Sequence, residues 1–106
     1  MSPDTALTTR KTRFSLGKIR ITAAAILALE ATATEGVFLL HRHLHRDWGD
    51  LSAQDILQNE IALLLDMRVL SRYALAKNTE IWIITDADRR TTTIMVPDAD
   101  LAQYPR

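Results

Sequence analysis

The chain has 106 residues, of which 47% are hydrophobic and 25% charged, a composition typical of one small globular domain. Thirteen basic residues balance thirteen acidic ones, which disfavours a protein that binds polyanions through a general basic excess. There is no cysteine, so disulfides, thiol catalysis and cysteine-ligated zinc are excluded.

The balanced total conceals a segregation of charge along the chain. Residues 1–20 hold five basic residues and one acidic residue, whereas residues 47–66 hold five acidic residues and no basic one. Residues 67–77 again carry three basic residues. The acidic segment is typical of a solvated helix face, or alternatively of a face that docks on a basic partner such as a nucleic-acid-binding protein.

The chain divides into a flexible basic leader over residues 1–12, one domain over residues 13–101 and a tail over residues 102–106. The start lacks the apolar core of a signal peptide, and the longest apolar run covers only Ala23–Leu29. That run is far too short to span a membrane. We therefore expect a cytoplasmic protein without a membrane partner.

The domain begins with a predicted strand and a predicted helix. Apolar and polar residues alternate between Phe14 and Thr22, which indicates a strand with one buried face, and Gly17 is expected to mark a bulge. Thr22 takes the position of a helix N-cap before the stretch Ala23–Ala33, whose alanines and leucines have high helix propensity.

Two further helices are predicted from apolar spacing, each with one buried stripe. Thr34 is expected to cap the first of them and Gly49 to end it. Ser52 and Asp55 resemble a capping box before the second, which would continue to about Met67. The stripe of the first helix consists of Val37, Phe38, Leu40, Leu44 and Trp48. The stripe of the second consists of Ile56, Leu57, Ile61, Leu64 and Leu65.

The second half of the domain predicts a three-stranded antiparallel meander. Its strands cover Val69–Leu75, Glu80–Thr85 and Thr91–Val96, with Ala76–Thr79 as a hairpin connection and Pro97 as the stop. The sequence therefore predicts an α+β fold of one N-terminal strand, two or three helices and the meander. The helices should pack on one face of a four-stranded antiparallel sheet.

The strand over residues 80–85 is expected to lie in the centre of that sheet. Its side chains alternate between the two faces, with Ile81 and Ile83 opposite Trp82 and Ile84. Because both sets are largely apolar, both faces should be at least partly covered.

All three histidines lie between His41 and Asp50. On a helix, His41 and His45 share a face at a spacing that can hold zinc, with Asp47 or Asp50 as an oxygen ligand. However, Arg42 occupies the position of the catalytic glutamate in the zinc-protease pattern. The alternative is a polar helix end whose cations interact with the helix dipole. We expect no bound metal and no other cofactor.

The two tryptophans are expected to be structural anchors. Trp48 and Gly49 are flanked by aspartates, a pattern typical of a corner in which the indole is buried and the carboxylates bind backbone N–H groups. Trp82 is the aromatic residue of the predicted central strand. Each indole N–H should find a hydrogen-bond partner.

Charged residues also crowd the turn over residues 86–90. Asp86 and Asp88 can organise this turn through bonds from their side chains to the backbone. Alternatively, Arg89 or Arg90 grips a phosphate or a carboxylate through its guanidinium. The chain has three glycines and none are clustered, so a glycine-rich phosphate loop is excluded.

The segment from His41 to Asp50 is expected to carry the functional surface, because arginine and tryptophan are frequent interface anchors and lie here on a rigid helix end. We expect no catalytic residue, since spacing supports no pair of nucleophile and base. The candidate binding residues are Arg42, His43, His45, Arg46, Asp47, Asp50, Asp88 and Arg89.

A resemblance to a known family rests on two ordered motifs. The first is the run Arg42-His43-Leu44-His45-Arg46-Asp47-Trp48-Gly49-Asp50-Leu51. The second is Trp82-x-Ile84-Thr85-x-x-Asp88-Arg89-x-x-Thr92-Thr93. Over residues 15–98 the chain resembles short bacterial proteins of plasmids, integrative elements and prophages. They are labelled plasmid-related proteins or type I restriction endonuclease subunit M. Arg46 replaces the family's glycine.

The resemblance implies a mobile-element context, and the leading hypothesis is a non-enzymatic interaction protein that inhibits a host defence complex. The complex would be a protein or ribonucleoprotein assembly of the CRISPR or restriction type. One alternative is a small nucleic-acid-binding regulator that contacts phosphates through its basic leader. Another is a metal enzyme that uses His41 and His45. A homodimer remains open.

Overall fold

The computed structural model describes residues 14–100, so the predicted leader and tail lie outside the described residues. Four strands and four helices occur within this range. In chain order they are β1 (Lys18–Ile21), α1 (Ala23–Ala31), α2 (Gly36–Leu44), α3 (Ala53–Leu65), β2 (Val69–Leu75), β3 (Thr79–Thr85), β4 (Thr91–Met95) and α4 (Pro97–Asp100). The α+β fold class predicted from the sequence is confirmed, and α4 is a short helix that the sequence analysis did not predict.

The four strands form one sheet in the order β1-β4-β3-β2. β2, β3 and β4 are the predicted antiparallel meander, and β3 lies in its centre as expected. Ile81 and Ile83 are fully buried on one face of β3, whereas Trp82 and Ile84 lie on the other.

The expectation of a purely antiparallel sheet is wrong, because β1 pairs with β4 in parallel. A parallel pair requires a long crossover connection, and the helices and the meander together supply it. The sheet is therefore mixed.

The predicted burial of one face of β1 is also wrong, since all four of its residues are exposed. The reason is that α1 turns back over β3 and β4 and leaves β1 beyond the covered area. Gly17 lies just before the strand at φ +64°, where a Cβ atom would come within 2.2 Å of the Arg90 carbonyl oxygen. It therefore permits a close backbone approach at the start of β1.

Two of the three predicted helix caps are confirmed. The Thr22 hydroxyl accepts a hydrogen bond from the backbone N–H of Ala25, and the Ser52 hydroxyl accepts one from Asp55, both at 3.1 Å. The predicted cap at Thr34 is wrong, because α2 begins one residue later and the Thr34 hydroxyl lies 2.9 Å from that of Thr32.

The predicted buried stripe of α2 is wrong in its first turn, although Leu40 does pack on the core, and the predicted end of the helix is wrong. Val37 and Phe38 are 71% and 60% exposed, whereas Leu39 and His43 face the sheet. Apolar spacing misses this rotation because one of the inward residues is a histidine. The helix ends at Leu44, well before Gly49.

The core lies between the helices and one face of the sheet, and it has two parts. One joins α1 and α2 to the strands through Ala25, Leu29, Leu39, Tyr73, Ile81, Ile83 and Ile94. The other joins α3 to β2 through Trp48, Ala62 and Val69, against which Phe14, Leu51 and Leu63 pack. The segment that connects α2 to α3 is thus anchored in the second part.

Within the described residues no single helix is long and apolar enough to span a membrane. α1 and α2 reach that length and composition only when they are taken together, and they are bent by 106° at the break between them.

Candidate functional site

The segment between α2 and α3 lies along the outer edge of β2. Gly49 forms a parallel bridge with Arg72, whose N–H donates to the Trp48 carbonyl at 3.0 Å and whose carbonyl accepts from the Asp50 N–H at 2.6 Å. The Asp50 carboxylate accepts from the N–H of Ala74 at 2.8 Å. This segment therefore acts as a short added strand that covers the edge.

Gly49 is required for this close approach. Its φ is +77°, and a Cβ atom would come within 2.1 Å of the Arg72 carbonyl oxygen and 2.7 Å of the Tyr73 ring. No other residue type fits this position without a backbone shift.

Trp48 and Glu60 tie the segment to α3. Trp48 is 4% exposed, and its indole N–H donates to Glu60 Oε2 at 3.1 Å. The same carboxylate forms an ion pair with Arg46. Arg46 adopts φ +66° directly after the end of α2, in the left-handed conformation that glycine usually supplies there. The Trp48 ring also stacks on Phe14 at a centroid distance of 6.1 Å.

Arg42 and Asp47 form a two-pronged ion pair, with N–O distances of 2.7 and 3.2 Å. The Arg42 guanidinium lies 4.6 Å from the centre of the Tyr73 ring, and the Tyr73 hydroxyl donates to the Asp47 carbonyl at 2.7 Å. The hydrogen bond from Arg42 holds the pKa of the Asp47 carboxyl below its usual range, and burial raises the pKa of Tyr73 to about 12.

His43 is fully buried and lies at the centre of a polar network inside the core. Its Nδ1 atom is 2.5 Å from Ser71 Oγ and its Nε2 atom is 2.9 Å from Thr85 Oγ1. Thr85 contacts the hydroxyl of Thr92, which donates to the Leu16 carbonyl at 2.7 Å. Burial, together with the positive charge of Arg89, lowers the pKa of His43 to about 3.

In this network Ser71 contacts His43, and a serine beside a histidine is the pair of nucleophile and base that many hydrolases use. All three side chains of the Ser71–His43–Thr85 unit are closed to solvent, so no substrate reaches them. The arrangement fastens α2 to the sheet. Sequence spacing could not pair these two residues, because Ser71 and His43 lie 28 positions apart.

His41 and His45 lie side by side on the exposed end of α2. Their ring centroids are 4.2 Å apart, and His45 Nδ1 lies 2.9 Å from the His41 carbonyl oxygen. Between residues 14 and 100 no group of three histidine or carboxylate side chains is arranged to hold a metal ion. His41 and His45, the predicted zinc ligands, are therefore close together, but no third ligand lies beside them among the described residues.

In the turn over residues 86–90, Arg89 is directed inwards. Its guanidinium donates to the carbonyls of Met67 at 2.6 Å and Ala62 at 3.3 Å, at the end of α3. It also donates to two carbonyls within its own turn. Asp88 accepts from the N–H of Arg90 at 2.9 Å, as a turn-forming aspartate does. Arg89 therefore caps the C-terminal end of α3. Its guanidinium is already occupied by carbonyl groups, and the predicted contact with a phosphate stays a prediction.

α3 carries an exposed apolar surface, where the sequence predicted a buried stripe. Asn59 and Ala62 face the protein, and Leu57, Leu64 and Leu65 are 59%, 82% and 64% exposed. Asn59 holds the helix in this orientation, because its amide bonds both the N–H and the carbonyl of one β2 residue, Leu70 (3.0 and 2.6 Å). A polar residue therefore faces the protein here, while three leucines of α3 face solvent.

A cleft of about 800 Å³ opens on the other face of the sheet. Its floor is formed by Thr91, Thr93 and Met95 of β4, and Arg20 of β1 lies on one side. The turn after α3, including Asp66, forms the opposite side. Trp82 lies on this face too, and its indole N–H donates to Glu80 at 3.0 Å.

A comparison of the chain with models of known protein families finds no match. No curated protein and no solved structure matches it either. The resemblance to plasmid-related proteins therefore stays a prediction from the motifs.

Proposed function

We propose that the protein is a non-enzymatic interaction protein of a mobile genetic element, which binds and inhibits a cytoplasmic host defence complex of the CRISPR or restriction type. The observation that carries the interaction function is the apolar row on α3, in which Leu57, Leu64 and Leu65 are exposed and Ile61 between them is half-buried. Contiguous exposed apolar surface of this kind is typical of an interaction site. The mobile-element context comes from the sequence resemblance alone.

The row has the spacing of a helix-packing seam. Leu57, Ile61 and Leu64 are separated by four and three residues, as the d, a and d positions of a coiled coil are. Leucine at d and a β-branched residue at a favour packing against one other helix. A partner that offers an apolar helix or groove therefore fits this surface.

Charge indicates which partner fits. α3 contains no basic residue, its Glu60 is paired with Arg46, and two exposed aspartates, Asp55 in its first turn and Asp66 directly after it, leave its ends acidic. If α3 packed against a second copy of itself, residues of the same sign would come together. A partner with lysines or arginines beside an apolar groove is complementary in charge, and proteins that bind nucleic acid carry such basic residues.

The test compares two pairs of charge-introducing substitutions at exposed positions. Leu57→Lys with Leu64→Lys changes the α3 row, and Leu27→Lys with Val37→Lys is the matched control elsewhere on the surface. Each protein is produced in cells that carry a CRISPR or a restriction system, and plasmid transformation is counted. Co-elution with the purified effector complex is measured in parallel. The α3 variant should lose protection and co-elution, while the control should keep both.

Two outcomes would overturn parts of this proposal. If the wild-type protein protects against neither system and binds neither complex, the anti-defence function is wrong. If the α3 variant binds normally while His41→Ala with His45→Ala abolishes binding, the surface lies in the segment of residues 41–50 that the sequence first indicated.

A further inference from the structure

Within residues 14–100, one edge of the sheet is covered and the other is open. At the outer edge of β2, Trp48, Asp50 and Asn59 accept hydrogen bonds from successive outward N–H groups. At the outer edge of β1 no described residue plays this part. An uncovered edge is a template for a further strand, and proteins normally protect such edges.

The register of β1 shows which of its backbone groups are open. The N–H of Lys18 donates to the Arg90 carbonyl at 2.8 Å, and that of Thr22 donates to the Ile94 carbonyl at 3.0 Å. Alternate residues of a parallel strand bond to the same neighbour. The N–H and carbonyl groups of Ile19 and Ile21 therefore point away from the sheet, where a further strand would bind them.

The side chains of β1 alternate in chemistry along this edge. Ile19 and Ile21 lie on the face that the helices cover, in register with residues 92 and 94 of β4, yet they remain 38% and 43% exposed. Lys18 and Arg20 lie on the opposite face, and Arg20 borders the cleft beside Thr93. The edge thus presents an apolar side and a cationic side.

We propose that the β1 edge binds an extended segment of a partner protein in which acidic and apolar residues alternate. The added strand would bond the backbone of Ile19 and Ile21, place its apolar side chains beside theirs, and place its carboxylates beside Lys18 and Arg20. A second copy of β1 is the wrong occupant, because it would bring Lys18 and Arg20 against like charges. This inference concerns the opposite edge from α3 and does not rest on the proposed function.

The test uses two synthetic hexapeptides with the full-length, nitrogen-15-labelled protein. One alternates glutamate with isoleucine and the other alternates lysine with isoleucine, and each is followed by chemical-shift titration. The glutamate peptide should shift the amide signals of residues 18–22 and bind at least about fivefold more tightly than the lysine peptide. Signals on α3 should not move.

Two variants separate strand addition from general attraction. Ile19→Pro removes one outward N–H and leaves the bonds to β4 in place, as proline does in edge strands, so it should abolish binding. Arg20→Glu should reverse the preference towards the lysine peptide. Leu27→Ala, at an exposed apolar position outside β1, is the control that should bind normally.

The proposal fails if the glutamate peptide does not bind, or if its binding survives both Ile19→Pro and Arg20→Glu. It also fails if the signals of residues 18–22 shift with protein concentration alone, because a second copy would then occupy the edge.

Discussion

At the residue scale, His43 makes the stability of the protein depend on pH. Its pKa is about 3 in the folded state and about 6.5 when unfolded, so below pH 6.5 only the unfolded chain takes up this proton. Stability therefore falls as the pH drops from about 6.5 towards 3, and this contribution is constant above 6.5. Between pH 7 and pH 5 we expect a loss of about 2 kcal/mol, measured by urea unfolding.

The control for this prediction is a pair of histidine variants. His43→Gln should be less stable at pH 7, because it disturbs the bonds to Ser71 and Thr85, but its stability should change much less between pH 7 and pH 5. His41→Gln, at an exposed position, should keep the wild-type dependence. An equal slope in all three proteins would show that His43 does not titrate as the buried geometry requires.

Gly49 permits a second prediction at the same scale. Gly49→Ala should destabilise the fold by about 2 kcal/mol or more, because the added Cβ atom meets the Arg72 carbonyl and the backbone has a positive φ. Gly36→Ala is the matched control, since Gly36 lacks a positive φ and the nearest atom to its Cβ is a leucine methyl at 3.3 Å. Thermal melting of both variants checks the difference.

At the scale of elements, α3 should be held by its polar side. Asn59→Ala removes both hydrogen bonds to the backbone of Leu70 and should cost about 1–3 kcal/mol. Leu64→Ser, on the exposed row, should change stability by no more than about 0.5 kcal/mol. A large loss from Leu64→Ser would mean that the apolar row is buried after all, as its spacing predicted.

The same elements show how far the sequence could be interpreted. The element order, two helix caps and the central position of β3 were predictable, because they depend on local propensity and on the period of the side chains. The orientation of α2 and α3 was not, because His43 and Asn59 face the protein only when partners from distant strands bond them. The role of Arg89 could not be predicted for the same reason. Its guanidinium donates to backbone carbonyls at the end of α3, which lie more than twenty positions away in the sequence.

At the scale of the whole molecule, the two edges of the sheet should differ in hydrogen exchange. The amides of Leu70 and Ala74, on the outer edge of β2, donate to the side chains of Asn59 and Asp50, so they should exchange slowly. The amides of Ile19 and Ile21, on the outer edge of β1, meet no described partner and should exchange rapidly in the free protein.

The amide of Thr22 is the internal reference for this comparison, because it donates to the Ile94 carbonyl of β4 within the same segment. If Ile19 and Ile21 exchanged as slowly as Thr22, another part of the chain or a second copy would already cover the edge. Rapid exchange at these two amides, beside a protected Thr22, would instead establish that β1 is paired on one side only. The sheet would then have a free edge, which the proposed addition of a partner strand along β1 requires.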